Sequence, residues 1–148
     1  MVGILFVCTG NICRSSTAEG VFRALVARAG LSDTITTASA ATHGYHIGEP
    51  PDPRTIAHAR MRGYDLSTQR ARRLDAGDFE RFDRILACDR GHHAIMTRLA
   101  PRGSWLSASV APGNEETSIG VRSGCAGVDE LSAMARETRG VAPCWARS

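Results

Sequence analysis

The chain has 148 residues, 43% of them hydrophobic, a net charge of +3, and eighteen basic residues that are all arginine. This length suits one domain with a real core; no apolar stretch approaches a membrane span, and the absence of lysine excludes a Walker A nucleotide site. Five cysteines at positions 8, 13, 88, 125 and 144 form neither an even disulfide framework nor a C-x-x-C zinc spacing, and no signal peptide is legible, so the expected compartment is a reducing cytoplasm.

In chain order, Ile4–Val7 reads as a short apolar strand. Ser16–Ala29 follows as a helix, with Ala18, Val21, Phe22, Leu25 and Val26 on one face and Gly30 at its end. The β-branched segment Thr34–Ser39 is expected as a second strand. Pro53–Arg62 reads as a helix capped by Asp52 and stopped by Gly63, Arg84–Cys88 as a buried strand, and His92–Leu99 as a helix stopped by Pro101. The alternation predicts an α/β fold: a single three-layer domain over residues 1–148, with a short parallel sheet, helices on both faces and a phosphate-binding loop after the first strand. Ligands in such folds lie at the carboxyl ends of strands.

Charge and histidine patterns add little. Residues 1–103 hold fourteen arginines against ten acidic residues, a mild excess that suits anionic substrates and equally suits a plain solvated surface. Arg70, Arg72 and Arg73 cluster without aromatic interleaving, so no nucleic acid is expected. His92 and His93 are adjacent and diverge on a helix, and no other histidines pair at ligand spacing, so no metal is expected.

The chemistry concentrates in Val7–Ser15, which reads V-C-T-G-N-I-C-R-S between the first strand and the first helix. A cysteine, five residues and an arginine in that position make a pocket for a tetrahedral oxyanion with a thiol at its floor. Backbone N–H groups of the loop and the positive helix end favour an anion, and the same field favours the thiolate of Cys8 as nucleophile. Arg14 offers a planar fork for two phosphoryl oxygens. Thr9, Gly10, Asn11, Ile12, Cys13 and Ser15 would line the pocket. Gly10 permits a turn that other residues resist, Asn11 can brace the loop by local hydrogen bonds, and Ser15 can bond the Cys8 sulfur. Cys13 is placed to form a reversible disulfide with Cys8.

These residues resemble the low-molecular-weight protein tyrosine phosphatases. The resemblance runs on through Ser39-Ala40-Ala41-Thr42, the loop His43–Asp52 with the start of the next helix, Arg62–Arg72 and Phe82–Asp89, covering about residues 2–103. It implies hydrolysis of tyrosine-phosphorylated proteins or small aryl phosphates through a cysteinyl-phosphate, without a cofactor, by a cytoplasmic monomer or weak dimer. It also implies that Tyr45 forms a wall of the cleft; the residues alone suit an exposed surface tyrosine equally well. Two small departures are Ala41 for the family's glycine and Gln69 where a histidine often stands.

The last third departs further. The family carries its general acid in a late Asp-Pro-aromatic loop, and residues 104–148 contain neither Asp-Pro nor tyrosine. Asp129 reads as a helix cap ahead of Leu131 and Met134, while Glu115 and Glu116 lack the flanking pattern. The acid is therefore Asp129, Glu115, Glu116 or absent, and the tail is either a frameshifted reading or true divergence. Two further readings stay open: a catalytically impaired phosphotyrosine- or oxyanion-binding protein, and a thiol-dependent arsenate reductase, which needs a relay of further cysteines.

Overall fold

The structure, a computed structural model, describes residues 1–101; Glu115, Glu116, Cys125, Asp129 and Cys144, on which several expectations fell, lie outside the described residues. The elements in chain order are β1 (Val2–Cys8), α1 (Arg14–Arg28), β2 (Ile35–Ala41), α2 (Pro53–Arg60), α3 (Asp78–Arg81), β3 (Arg84–Ala87) and α4 (Arg90–Leu99). The three strands are parallel, in the order β2-β1-β3. β1 lies in the centre, and the loop that follows it opens at the carboxyl ends of the strands, where such sheets bind ligands.

Strand alternation explains the layers. Leu5 of β1 faces Ala38 and Ile85, and Val7 faces Ala40 and Ala87. These residues point to one face, where Leu5, Val7, Ala40, Ile85 and Ala87 pack with Leu74, Phe79 of α3 and Met96 of α4 in one core cluster. Phe6 points the other way and meets Phe22 of α1 edge to face, with ring centroids 5.7 Å apart. Helices therefore cover both faces, as the alternating pattern predicts. Cys8 shares the face of Phe6, so its thiol lies on the side from which α1 begins.

Most expected elements recur with shifted ends. α1 begins at Arg14, two residues before the apolar pattern, because its first turn is polar and belongs to the loop. Ser16 and Thr17 hydroxyls donate back to the Cys13 carbonyl at 3.0 and 2.8 Å and hold that first turn. Asp52 caps α2 as expected, accepting from the Arg54 and Thr55 N–H groups, with Pro53 opening the helix.

The four-residue α3 is too short for periodicity to reveal. It is held by Asp78, which is fully buried and accepts from Arg72 at 2.8 and 3.0 Å and from Arg81 at 3.3 Å. Arg72 is thus committed to a buried carboxylate, and Arg70 to the carbonyls of Ser67 and Gln69. The arginine cluster stitches the chain to itself.

Candidate active site

The loop Thr9–Cys13 leaves β1 at Cys8 and enters α1 at Arg14. Its shape is set by Asn11, whose φ of +57° puts a residue with a side chain in the left-handed region. Asn11 is 2% exposed and every polar atom of its side chain is used. Its Nδ2 donates to Ser15 Oγ at 2.9 Å and to Ser39 Oγ at 2.8 Å, while its Oδ1 accepts from the Arg72 N–H at 3.0 Å. Ser39 Oγ in turn donates to Glu19 Oε2. Three hydrogen bonds offset the backbone strain at this residue. The brace expected of Asn11 is present, and it reaches further than the loop itself.

Gly10 has a different role from the one its residue type suggests. The left-handed residue is Asn11, and Gly10 gives room for close approach: a Cβ there would lie 3.0 Å from the His46 ring, which would have to shift by a few tenths of an ångström. The turn is made by an amide side chain that can be pinned, and the glycine keeps the rim clear of the loop.

Beneath the loop, Cys8 is 3% exposed and Ser15 is fully buried, with 3.0 Å between Cys8 Sγ and Ser15 Oγ. The side-chain Nδ2–H of Asn11 occupies a lone pair of Ser15, so the one hydroxyl hydrogen is free to point at sulfur; the competing Ala40 carbonyl is farther, at 3.4 Å. Among the described residues none accepts the N–H of Thr9, Gly10, Asn11 or Ile12, so these amides remain available to an anion above the thiol.

Arg14 closes the side of the cup. Its Nη1 donates to Asp89 Oδ2 at 2.7 Å, and its Nη2 lies 3.5 Å from His92 Nε2. Burial works against the Arg14 charge, but the hydrogen bond to Asp89 and its carboxylate charge, with smaller contributions from the neighbouring Cys8 and Cys88, outweigh it and raise its pKa. For Asp89, burial works against ionisation, yet the His92 N–H and Arg14 hold its carboxyl below the usual range. Asp89 also caps α4 by accepting the His92 N–H at 2.9 Å. Neither Asp89 nor His92 was singled out for the site by residue type. The available signal was positional: Asp89 follows a strand that pairs with β1 and precedes a helix.

The rim is the segment after β2, tied to the loop at both ends. The N–H groups of Thr42 and His43 donate to the Cys8 and Thr9 carbonyls at 2.8 and 3.0 Å, and the Asp52 N–H donates to the Ile12 carbonyl at 2.8 Å. Between these anchors Tyr45 is 71% exposed and stacks on His43, with centroids 5.3 Å apart and planes 11° apart. The ring is exposed, and it stands on a segment fastened to the loop. Cys13 sits at the N-cap of α1, half-buried and reduced. Cys88 follows β3 beside Cys8; burial first, then the Cys8 charge, push its thiol up to about 12.

A buried thiol under a cup of amides with no acceptor among the described residues, beside an arginine fork and below an aromatic rim, makes a donor-lined hollow suited to a tetrahedral oxyanion. Comparison with known proteins gives the family. The family described as low molecular weight phosphotyrosine protein phosphatase matches residues 3–105. The low molecular weight protein-tyrosine-phosphatase of Streptomyces coelicolor is 49% identical over 98 residues, covering 66% of this chain and 59% of its own. The human low molecular weight phosphotyrosine protein phosphatase is 46% identical over 95 residues, covering 64% and 60%. The chain therefore spans about three-fifths of the length of these relatives. The crystal structure of YfkJ from Bacillus subtilis superposes with a TM-score of 0.69 at 37% identity, over 73% of this chain and 69% of that one. The low molecular weight protein tyrosine phosphatase from T. tengcongensis gives 0.71 at 26% identity, over 95% and 94%. The chain belongs to the low molecular weight phosphotyrosine protein phosphatase family.

Proposed function

We propose that the chain is a protein tyrosine phosphatase that hydrolyses phosphotyrosine and aryl phosphates through a cysteinyl-phosphate intermediate. The observation that carries this reading is Cys8 Sγ held 3.0 Å from Ser15 Oγ at the floor of a loop closed by Arg14. In the first step the Cys8 thiolate forms an S–P bond as the P–O bond to the aryl group breaks, and the electron pair leaves with the phenolate. In the second, water attacks phosphorus, the S–P bond breaks, and the thiolate and inorganic phosphate are released. Arg14 and the amides of residues 9–14 stabilise the equatorial oxygens in both steps. Thr9, Gly10, Asn11, Ile12, Cys13 and Ser15 shape the binding cup, and Tyr45 supplies a wall against which a phenyl ring stacks.

The remaining assignments follow from the same reading. The enzyme works in the cytoplasm on tyrosine-phosphorylated proteins or small aryl phosphates, as a single domain over residues 1–148 and a monomer or weak dimer. No helix among the described residues is long and apolar enough to cross a membrane. An arsenate reductase relay would draw on Cys88, and a thiol pushed up to about 12 attacks poorly at neutral pH.

The leaving phenolate needs a proton, and residues 104–148 lack the Asp-Pro-aromatic loop that would give one. We assign no efficient general acid to Asp129, Glu115 or Glu116. Loss of such a group typically costs about 10²–10⁴-fold. The rate should then depend steeply on the pKa of the leaving phenol, with p-nitrophenyl phosphate far better than phosphotyrosine. Asp129→Asn should match the wild type across a series of substituted phenyl phosphates. A flat dependence in the wild type that steepens in Asp129→Asn would identify Asp129 as the acid. Binding of phosphate with no turnover of any aryl phosphate would reduce the protein to an oxyanion-binding module.

A further inference from the structure

His92 takes no part in the two steps above, yet it is 4% exposed and three polar groups converge on its ring. Nε2 lies 2.8 Å from Thr9 Oγ1 and 3.5 Å from Arg14 Nη2, while Nδ1 lies 3.0 Å from Asp89 Oδ1. A guanidinium has only donors to offer, so the imidazole nitrogen turned toward it is the unprotonated one. Its one lone pair accepts the Thr9 hydroxyl at 2.8 Å and is shared with the more distant Arg14 N–H. The single ring proton is left on Nδ1, beside the carboxylate of Asp89. The Nδ1 contact is short but misaligned for a hydrogen bond, so charge holds the tautomer there. The two terminal nitrogens of Arg14 are therefore held from behind by two different acceptors: Nη1 by Asp89 and Nη2 by His92.

We propose that neutral His92, as its Nδ1–H tautomer, is a positioning residue that aims Arg14 at the oxyanion and couples it to Thr9, and that protonation of His92 uncouples them. This rests on the oxyanion-site reading given above. The charged and titratable groups facing His92 are Asp89 from the cap of its own helix, Arg14 from α1, and His43 from the segment after β2. Burial disfavours the imidazolium most; Asp89 favours it, and Arg14 and His43 oppose it, leaving its pKa below the ordinary 6.5. Once protonated, Nε2 presents a hydrogen to the Arg14 donors and can no longer accept from Thr9. The arginine then loses one of its two holds.

The tautomer is read directly in the wild-type protein by long-range ¹H–¹⁵N correlation. Above pH 6.5 the His92 proton should reside on Nδ1, and a proton on Nε2 overturns the proposal. The coupling is read by sulfate affinity in Cys8→Ser, since sulfate keeps its charge through weak acid and serine removes the thiol titration. Affinity should fall as the pH drops below 6.5. Adding His92→Gln, which keeps an acceptor but cannot titrate, should flatten that response. Adding His92→Leu should weaken sulfate about tenfold at neutral pH, the scale of one hydrogen bond to a charged group. An acid response that survives His92→Gln, or full affinity in His92→Leu, overturns the proposal. Should the leucine variant fail to fold, the glutamine variant and the wild-type tautomer still decide it. A folded Cys8→Ser protein that binds no sulfate at any pH defeats the oxyanion site and this proposal with it.

Discussion

The floor of the site and its rim are built on opposite terms. At the floor, Asn11, Ser15, Ser39 and Cys8 are all buried, and their side chains form one continuous chain of hydrogen bonds. On the rim, Tyr45 and Ile47 stand 71% and 61% exposed, and among the described residues Tyr45 keeps only its stack on His43. Chemistry that depends on a thiolate and aligned donors needs a frame that does not move, and a buried, fully paired network supplies one. Selection among phosphorylated partners needs accessible surface. Both regions share one backbone seam, at Thr42, His43 and Asp52, and the rim is tied again at Gly48 and Glu49 to Ala71, so its backbone is fixed while the Tyr45 and Ile47 side chains stand out from it.

The sharpest break in that contrast is at the floor. Cys8→Ser should lower turnover of p-nitrophenyl phosphate by about a thousandfold or more, since the hydroxyl is neither ionised nor a comparable nucleophile. Phosphate affinity should survive, because the cup is unchanged. Arg14→Lys should cost about a hundredfold or more, as an ammonium cannot make two parallel contacts to phosphoryl oxygens while also reaching Asp89. Steady-state kinetics with phosphate as competitive inhibitor measure both variants. Retention of more than a few per cent of turnover by Cys8→Ser would remove the nucleophile from the mechanism.

Asn11 tests whether the floor is a network or a set of independent contacts. Asn11→Ala removes three hydrogen bonds and leaves a residue with Cβ at φ +57°. Chemical denaturation should show a loss of about 3 kcal/mol. Asn11→Gly loses the same bonds but tolerates the dihedral, so it should recover about 1 kcal/mol of that loss. Equal losses in the two variants would mean that the left-handed backbone carries no cost here.

How much of this is visible in the residues depends on how far apart the partners lie. The strand, loop and helix around Cys8 are local, and so were legible: Cys8, Ser15 and Asn11 fall within eight positions and make the contacts expected of them. The Asp52 cap is equally local. The hold on Arg14 comes from Asp89, 75 positions away, and nothing in either residue type announces the pairing. α3 escaped because four residues carry no period. The division of roles between Gly10 and Asn11 was hidden for another reason: both residues tolerate a turn, and only the fold shows that Asn11 takes the left-handed backbone while Gly10 lies under His46.

At the rim, effects should be small and confined to recognition. Tyr45→Ala removes an exposed ring, so stability should change by no more than about 0.5 kcal/mol. Its effect should appear in KM for phosphotyrosine peptides, raised roughly three- to tenfold by the loss of one stacking contact, with kcat for p-nitrophenyl phosphate nearly unchanged. A loss of kcat with KM preserved would move Tyr45 from the wall into the reacting geometry.

The smallest effect, and the one that most sharpens the contrast, concerns a buried polar residue outside the network. Gln69 is 7% exposed, and among the described residues neither its Oε1 nor its Nε2 has a hydrogen-bond partner. It lies against α1, with Nε2 at 3.4 Å from the place a Cβ on Gly20 would occupy. If burial alone made polar groups useful here, Gln69 would stabilise the fold as Asn11 does. An unpaired amide instead carries a desolvation penalty of about 1–3 kcal/mol, while methionine fills a similar volume without one. Gln69→Met should therefore raise stability by about 1 kcal/mol, leaving turnover and phosphate affinity unchanged. Denaturant midpoints at constant slope measure the gain. A destabilised Gln69→Met protein would show that the amide is paired after all, and that the network beneath the loop extends past Asn11 to α1.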